Sequence, residues 1–335
     1  MGMKRNPMNA VHPSIHRAGT VPWYAAVRII RRPWATFSAK DDNFDPARAR
    51  PRGRSEPSKA ISSHTMTTHI TFIGGGNMAS AIIGGLLKQG MTPRQIDVVE
   101  PFADARARLL SQFGVTALHG PGPALAKAEL VVWAVKPQTF KEAALQTSQH
   151  TQHALHLSVA AGIRSDSIAN WLGTQRIVRA MPNTPALVGK GMTAMFGRAA
   201  VTVEDRRQVE RVIATTGQFL WVEPESQLDA VTALSGSGPA YVFYFLEAMT
   251  QAGTDMGLTR DQAHQLAVGT FVGASELARA SDEPPEVLRQ RVTSKGGTTY
   301  AAIMSMEQDN VKNLFMRALQ AARRRAHELG DEFGA

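Results

Sequence analysis

The chain has 335 residues, a length that suits about two domains, and its 43% hydrophobic content excludes wholesale disorder. It has no cysteine, which excludes disulfides, thiolate catalysis and cysteine-based zinc sites. Its net charge of +9 suggests a nucleic-acid partner only until the charge is located: of 37 basic and 28 acidic residues, positions 1–65 hold 12 and 4, leaving a balanced 25 and 24 beyond.

The first 65 residues are rich in Arg and Pro and show no sustained helical or strand period. The stretch "RARPRGRSEPSKA" (Arg48–Ala60) has the composition of a disordered segment. Being Arg-rich and poor in acids, this tail faintly resembles an organelle-targeting segment. Met66 stands just before the first convincing strand, so folding and natural translation are expected to begin near it. No apolar run reaches the roughly 18 residues of a membrane span, and neither a membrane nor a nucleic acid is expected as a partner.

"HITFIGGGNMASAIIGGLLKQG" (His69–Gly90) opens with β-branched residues typical of a strand, passes through Gly74, Gly75 and Gly76, and continues as an apolar helix with Gly90 at its end. Read as G-x-G-x-x-A, the motif is Gly74, Gly76 and Ala79. Gly74 permits a tight turn, Gly76 lets the backbone approach a pyrophosphate, and Ala79 lets helix and strand pack closely. A second strand, "QIDVVEP", reaches Glu100, near the position where an acid that binds a ribose diol is expected. The turn is therefore read as a dinucleotide site formed by Ile73, Gly74, Gly75, Gly76, Asn77, Met78, Ala79 and Glu100.

The βα rhythm continues with a helix at Ala103–Gln112, a short strand at Val115–Ala117 and a helix near Pro123–Lys127. "ELVVWAVKPQ" (Glu129–Gln138) reads as a buried strand, and "HALHLSVAAGI" (His153–Ile163) as another that runs into small residues. Small residues at strand C-termini suit either a flat ring lying outside those ends or tight core packing. These strands add Ala134, Val135, Lys136, Pro137, Val159, Ala160 and Ala161 to the expected cofactor contacts. "RIVRAMPNTPALVGKGMTAMF" (Arg176–Phe196) predicts strand, proline-braced loop and strand. A helix at Val203–Thr215 and a strand at Phe219–Val222 complete a doubly wound sheet.

From Glu225 the strand signal stops. "SQLDAVTALSGSGPAYVFYFLEAMTQAG" (Ser226–Gly253) predicts a helix, a break at Gly236–Pro239, and a strongly apolar helix. Such a helix should be covered on every side, most simply by a partner subunit. Thr259–Ser281 predicts a helix capped by Thr259 and Asp261. The last helices are expected from Thr298 to about Leu329, with Arg323, Arg324 and Arg325 on a solvated end. Before them lies "RVTSKGGTTYAAI" (Arg291–Ile303), which places bare backbone and hydroxyls at a helix start. That pattern fits anion binding or an ordinary N-cap.

"FIGGGNMASAIIGGL", "AVKPQ", "SVAAGI", "RAMPNTPA", "LSGSGPAY" and "VTSKGGTT" occur here in the order found in pyrroline-5-carboxylate reductases, which the chain resembles from about Ile70 to Leu329. The resemblance implies NAD(P)H-dependent reduction of 1-pyrroline-5-carboxylate to L-proline, the last step of proline biosynthesis. It implies hydride transfer from nicotinamide C4 to the imine carbon. It also implies an N-terminal Rossmann-like doubly wound sheet followed by an all-helical dimerisation domain, forming a homodimer and a ring of dimers. By the same resemblance the anion at this helix start is the substrate carboxylate, held by Gly296, Gly297 and Thr298, with Thr299 as hydroxyl donor to the imine nitrogen. No metal is implied. The expected division is a basic tail at 1–65, an NAD(P)-binding domain at 66–223 and a helical dimerisation and substrate-binding domain at 224–335.

The sequence departs from relatives at Lys295, where many carry Pro, and at Gly120-Pro121, where many carry an Asn near the adenosine. Glu100 argues for NADH, since a carboxylate repels a 2′-phosphate, whereas the family frequently uses NADPH and Arg106 or Arg108 lies close by. A β-hydroxyacid dehydrogenase would need a lysine in Leu234–Met249, which has none. A nucleotide-binding redox sensor without turnover would have no use for "SKGGTT". The expected location is the cytoplasm, or an organelle matrix if the tail is a targeting segment.

Overall fold

The computed structural model describes residues 68–334; the expectations for the basic tail and for Met66 lie outside them. In chain order the first elements are β1 (Ile70–Ile73), α1 (Asn77–Lys88), β2 (Ile96–Val99), α2 (Ala103–Phe113), β3 (Ala117–Leu118), β4 (Leu130–Trp133) and α3 (Pro137–Thr147). They are followed by β5 (Leu155–Ser158), α4 (Ser165–Leu172), β6 (Ile177–Met181), β7 (Gly191–Gly197), α5 (Val203–Ile213) and β8 (Gly217–Trp221). The eight strands form one sheet in the order β3-β2-β1-β4-β5-β6-β7-β8.

Every neighbouring pair is parallel except β6 with β7. The link between those two is a single 3₁₀ turn at Thr184–Val188 closed by Gly189 at φ 70°. That link is too short for a crossover helix, so the chain must return antiparallel. The strands β1, β4 and β5 are buried along their whole length, as a sheet covered on both faces requires. Alternate residues feed two cores: Ile70, Phe72, Leu130 and Val132 pack with Ile82 and Leu86 on one face. Ile73, Val131 and Trp133 pack with Phe140 and Ile168 on the other.

The sequence reading differs from the structure in places with physical causes. Helices α3 and α4 were not foreseen; the first begins at Pro137, where proline at a helix start looks from sequence like the end of the preceding strand. The expected strand at Val115–Ala117 is shifted to Ala117–Leu118, because a two-residue edge strand has no period to set it. The segment Pro123–Lys127 is a 3₁₀ helix.

Beyond Trp221 the described chain is helical: α6 (Gln227–Val231), α7 (Gly238–Asp255), α8 (Arg260–Ala280), α9 (Pro285–Arg291), α10 (Thr298–Gln308) and α11 (Val311–Phe333). The predicted break before α7 is instead a π-helical turn at Thr232–Gly236, so the backbone stays helical while Pro239 sits in the first turn of α7, where its missing N–H costs nothing. Thr259 caps α8, but its reciprocal partner is Gln262 rather than Asp261. Helices α7 and α8 meet through small residues: a Cβ on Gly253 would lie 2.8 Å from that of Ala263. Within the chain only Thr250 and Gly253 of α7 are buried, and Phe243 and Tyr244 are 64% and 70% exposed.

Candidate functional site

The strand order reverses at β1, with β2 on one side and β4 on the other, and ligands in open α/β sheets lie outside the strand carboxyl ends at such a point. Ile73 pairs with Trp133, and Trp133 with Ser158. The residues that follow them, Gly74, Ala134 and Val159, therefore stand side by side. Backbone bonds hold them there: Ala134 N–H donates to the Ile73 carbonyl at 2.8 Å and Val159 N–H to the Trp133 carbonyl at 3.0 Å. Three segments distant in sequence thus meet at one edge, carrying Gly74–Ala79, Ala134–Pro137 and Val159–Ala161.

Each glycine of the turn has its own reason. Gly74 has φ 94°, and a Cβ there would lie 2.6 Å from the Ala134 carbonyl oxygen, so no side chain fits. A Cβ on Gly76 would meet nothing within 4 Å; it would stand in the open approach to α1. Gly76 caps α1 without a side-chain hydrogen bond, and the first intrahelical bond runs from Ser80 N–H to the Gly76 carbonyl at 2.9 Å. The amides of Asn77, Met78 and Ala79 precede that bond and have no intrahelical acceptor. Open backbone, free amides and the positive end of the helix dipole fit a dinucleotide pyrophosphate. Ala79 is fully buried against the sheet.

Ala134, Val135 and Pro137 are partly buried, Lys136 is exposed, Ala160 is buried, and Val159 and Ala161 are partly buried. Below them Trp133 Nε1–H donates to His156 Nδ1 at 3.1 Å. Burial, reinforced by the Arg176 charge, lowers the His156 pKa to about 4, so a neutral imidazole accepts this bond. The last turn of α11 presses on the same loop: a Cβ on Gly162 would lie 3.0 Å from Leu329 Cβ, and Arg164 pairs with Asp331 at 2.6 Å.

Glu100, the expected ribose acid, is engaged with the backbone of its own chain. It is buried, and its carboxylate accepts the Gly75 amide on Oε2 and the Phe102 amide on Oε1, both at 2.9 Å. One oxygen thus faces the glycine turn and the other the entry to α2.

The hydroxyl segment lies elsewhere in the chain. Gly296 has φ 78°, a conformation that favours glycine, and Gly297 caps α10 without a side-chain bond. Gly297 N–H donates to the Ser294 carbonyl at 3.0 Å, which removes it from the expected carboxylate donors. Helix pairing begins with Ala301 N–H to the Gly297 carbonyl at 3.1 Å, leaving the Thr298, Thr299 and Tyr300 amides without helical acceptors. Thr298 and Thr299 are exposed, and no residue of α10 is buried. Beside them a cavity of about 380 Å³ is lined by Arg289, Thr293, Lys295, Tyr300, Met304 and Glu307. Among the described residues no hydrogen bond or ion pair joins Ser294–Thr299 to the glycine turn, and no acidic or histidine cluster could hold a metal.

The sequence reading missed the residues that tie the sheet to the helices. Arg179 Nη1 meets Glu225 Oε1 at 2.5 Å, and the same carboxylate accepts the Ser165 amide at 2.7 Å and its hydroxyl at 2.6 Å. Asn183 accepts the Met192 amide and donates to Ser235. The only sequence signal was the unassigned polar residues of "RAMPNTPA", since partners 46 to 60 positions apart leave no local pattern.

Residues 225–329 match a family described as Pyrroline-5-carboxylate reductase dimerisation, and residues 69–162 match one described as NADP oxidoreductase coenzyme F420-dependent. The chain is 42% identical over 270 residues to a pyrroline-5-carboxylate reductase of Pseudomonas aeruginosa, covering 80% of this chain and 99% of that one. It is 36% identical to the enzyme of that name from Pisum sativum over 77% of this chain and 94% of that one. Among solved structures, a pyrroline-5-carboxylate reductase from Coxiella burnetii matches with a TM-score of 0.73 and 39% identity, covering 78% of this chain and 98% of that one. A pyrroline carboxylate reductase from Plasmodium falciparum with NADP bound matches with a TM-score of 0.71 and 27% identity, covering 79% and 98%.

Proposed function

The chain belongs to the pyrroline-5-carboxylate reductase family, and from that membership we infer that it reduces 1-pyrroline-5-carboxylate to L-proline with NADPH or NADH. The observation that carries the reading is the meeting of Gly74–Ala79, Ala134–Pro137 and Val159–Ala161 at the carboxyl edge of β1, β4 and β5. Bound NAD(P)H supplies a hydride from nicotinamide C4 to the imine carbon. The amides of Asn77, Met78 and Ala79 hold the pyrophosphate, while the small side chains of Ala134, Val159, Ala160 and Ala161 leave room for a flat ring.

Gly296, Gly297 and Thr298 shape the carboxylate site, with the Thr298 and Thr299 amides as the donors left free at the start of α10. A helix N-terminus contributes about 0.3–1 kcal/mol per charge when exposed and about 2 kcal/mol when partly buried. That orients a substrate but does not drive its reduction. As the imine carbon takes the hydride, the nitrogen must gain one proton; the Thr299 hydroxyl would hydrogen-bond that nitrogen and pass the proton to it, being reprotonated from solvent.

The uncovered faces of α7, α8, α10 and α11 are where a second copy packs, and the two halves of the site come together in that homodimer. A ring of dimers extends the assembly. The cofactor-binding part is residues 66–223, and the helical dimerisation and substrate part is 224–335. Among the described residues no helix is long and apolar enough to cross a membrane. The similarity to bacterial relatives supports the cytoplasm as the location.

The test is oxidation of NADPH and NADH by the full chain with 1-pyrroline-5-carboxylate, beside Thr299→Ala. Turnover is expected, with a loss of about 100-fold or more in the variant, in the range of a removed proton donor. Turnover unaffected by the variant would leave Thr299 as a helix start only. Absence of turnover with nucleotide still bound would point to a redox sensor.

A further inference from the structure

The acid at the end of β2 is usually assigned to the adenosine ribose, but in this chain its oxygens are engaged elsewhere. Oε2 accepts the amide of Gly75, in the middle of the glycine turn, and Oε1 accepts the amide of Phe102, at the entry to α2. Glu100 is 6% exposed, so its carboxylate bridges two loops from beneath. The fit is close: a Cβ on Gly75 would stand 2.7 Å from Leu109 Cδ1 and 3.3 Å from Glu100 Oε2.

The neighbouring bonds form a consistent set. Gly74 N–H donates to the Val99 carbonyl at 2.8 Å, and Glu100 N–H to the Leu118 carbonyl at 2.9 Å. The first two amides of the turn are thus bonded to Val99, the last residue of β2, and to Glu100 just after it. A charge-assisted bond to a carboxylate is the stronger kind, and it fixes the amide of a glycine that would otherwise have wide backbone freedom. The rim of this edge carries the opposite charge. The Arg106 guanidinium donates to the carbonyl oxygens of Glu100 at 3.0 Å and Pro101 at 2.6 Å.

We propose that Glu100 is a positioning residue that fastens the glycine turn to the end of β2, and that it neither binds the adenosine ribose nor discriminates between NADH and NADPH. The proposal rests on the reading of this turn as the dinucleotide site. The carboxylate keeps its charge, but it is 6% exposed and both its oxygens accept backbone amides, so it does not turn an oxygen outward toward a 2′-phosphate, and an acid at this position does not exclude NADPH.

The test is equilibrium titration of the full chain, and of its Glu100→Gln variant, with NADH and NADPH followed by nucleotide fluorescence. It is run at low temperature, where circular dichroism shows both proteins folded, so that global instability does not weaken binding. Gln has the size of Glu but turns an amide NH₂ toward one of the two backbone donors, so one bond of the bridge is lost. Both dissociation constants are expected to rise together, roughly tenfold, as for the loss of one charge-assisted bond, with their ratio unchanged within about twofold. A rise for NADH alone, a tightening of NADPH, or no change in either would overturn the proposal.

Gly75→Ala keeps the carboxylate but crowds the bridge, its added Cβ pressing on Leu109 Cδ1 at 2.7 Å and on Glu100 Oε2 at 3.3 Å. It should produce the same parallel loss, and it carries the test if Glu100→Gln does not fold; selective loss of one nucleotide in Gly75→Ala would also overturn the proposal. Failure of the unsubstituted chain to bind either nucleotide would refute the site reading itself, an outcome separate from any difference between variants.

Discussion

The sheet region and the helical region bury their apolar residues in opposite ways. In the sheet, β1, β4 and β5 are covered on both faces, and Trp133, Phe72 and Phe140 are fully enclosed within one chain. In the helices, Phe243, Tyr244, Leu266, Val272 and Leu277 are more than half exposed, and α9 and α10 bury no residue at all. An exposed apolar surface of that extent marks an interaction face, and the dimerisation match over residues 225–329 says which kind. One region is a finished core and the other is half of one. The proposed site has a part in each, so nucleotide binding and turnover should respond differently to damage.

The largest expected separation comes from Phe243→Glu. A charge in the middle of the α7 face should leave a monomer by light scattering, with turnover reduced about 100-fold or more because positioning is lost. Nucleotide affinity should change by less than about threefold, since the glycine turn and strand ends proposed to hold it are built within the sheet of a single chain. Equal loss of both properties would break the distinction between the regions.

Arg179→Met probes the junction. The variant leaves the Glu225 carboxylate half-buried without its guanidinium, and a stability loss of about 3 kcal/mol by chemical denaturation is expected. The parallel change Glu225→Gln should cost less, because the Ser165 bonds are partly kept.

A pH effect sharpens the view of the sheet as self-contained. The His156 pKa lies near 4 in the folded chain and near 6.5 when unfolded. Above pH 6.5 neither state binds this proton and stability is whole. As pH falls from 6.5 toward 4 the unfolded chain takes up the proton first, and the folded state loses about 2 kcal/mol by pH 5 and about 3 kcal/mol by pH 4. His156→Asn should flatten that slope by about one proton in denaturation curves taken across the range, while leaving an acceptor for Trp133. The smallest effect is expected from Thr259→Ala, which removes the cap of α8; about 1 kcal/mol should be lost, with the oligomeric state unchanged.

Much of the fold was legible because local patterns report burial. Short β-branched runs marked β1, β2 and β4, and the glycine spacing after β1 marked the turn, since only backbone without Cβ can pass the Ala134 carbonyl at Gly74. The end of the strand signal at Glu225 marked the change to helices. What stayed hidden was decided by partners distant in sequence. The direction of Glu100 depends on Gly75, 25 positions earlier, and its type alone suggested a ribose. The Gly297 amide looked like a donor until Ser294 was found to accept it. Helices α3 and α4 were overlooked because their start signals, Pro137 and Ser165, also read as strand ends and loop.

The sequence by itself determined the α/β class, the family and the residue types available to the two halves of the site, because each rests on short-range pattern or on motif order. Only the tertiary structure decided which backbone amides remain free, which carboxylates are already bonded, and which apolar face the chain cannot cover alone. Those properties depend on how buried polar groups find partners across the sheet and on how much surface one chain can enclose, and neither is written in any local stretch of sequence.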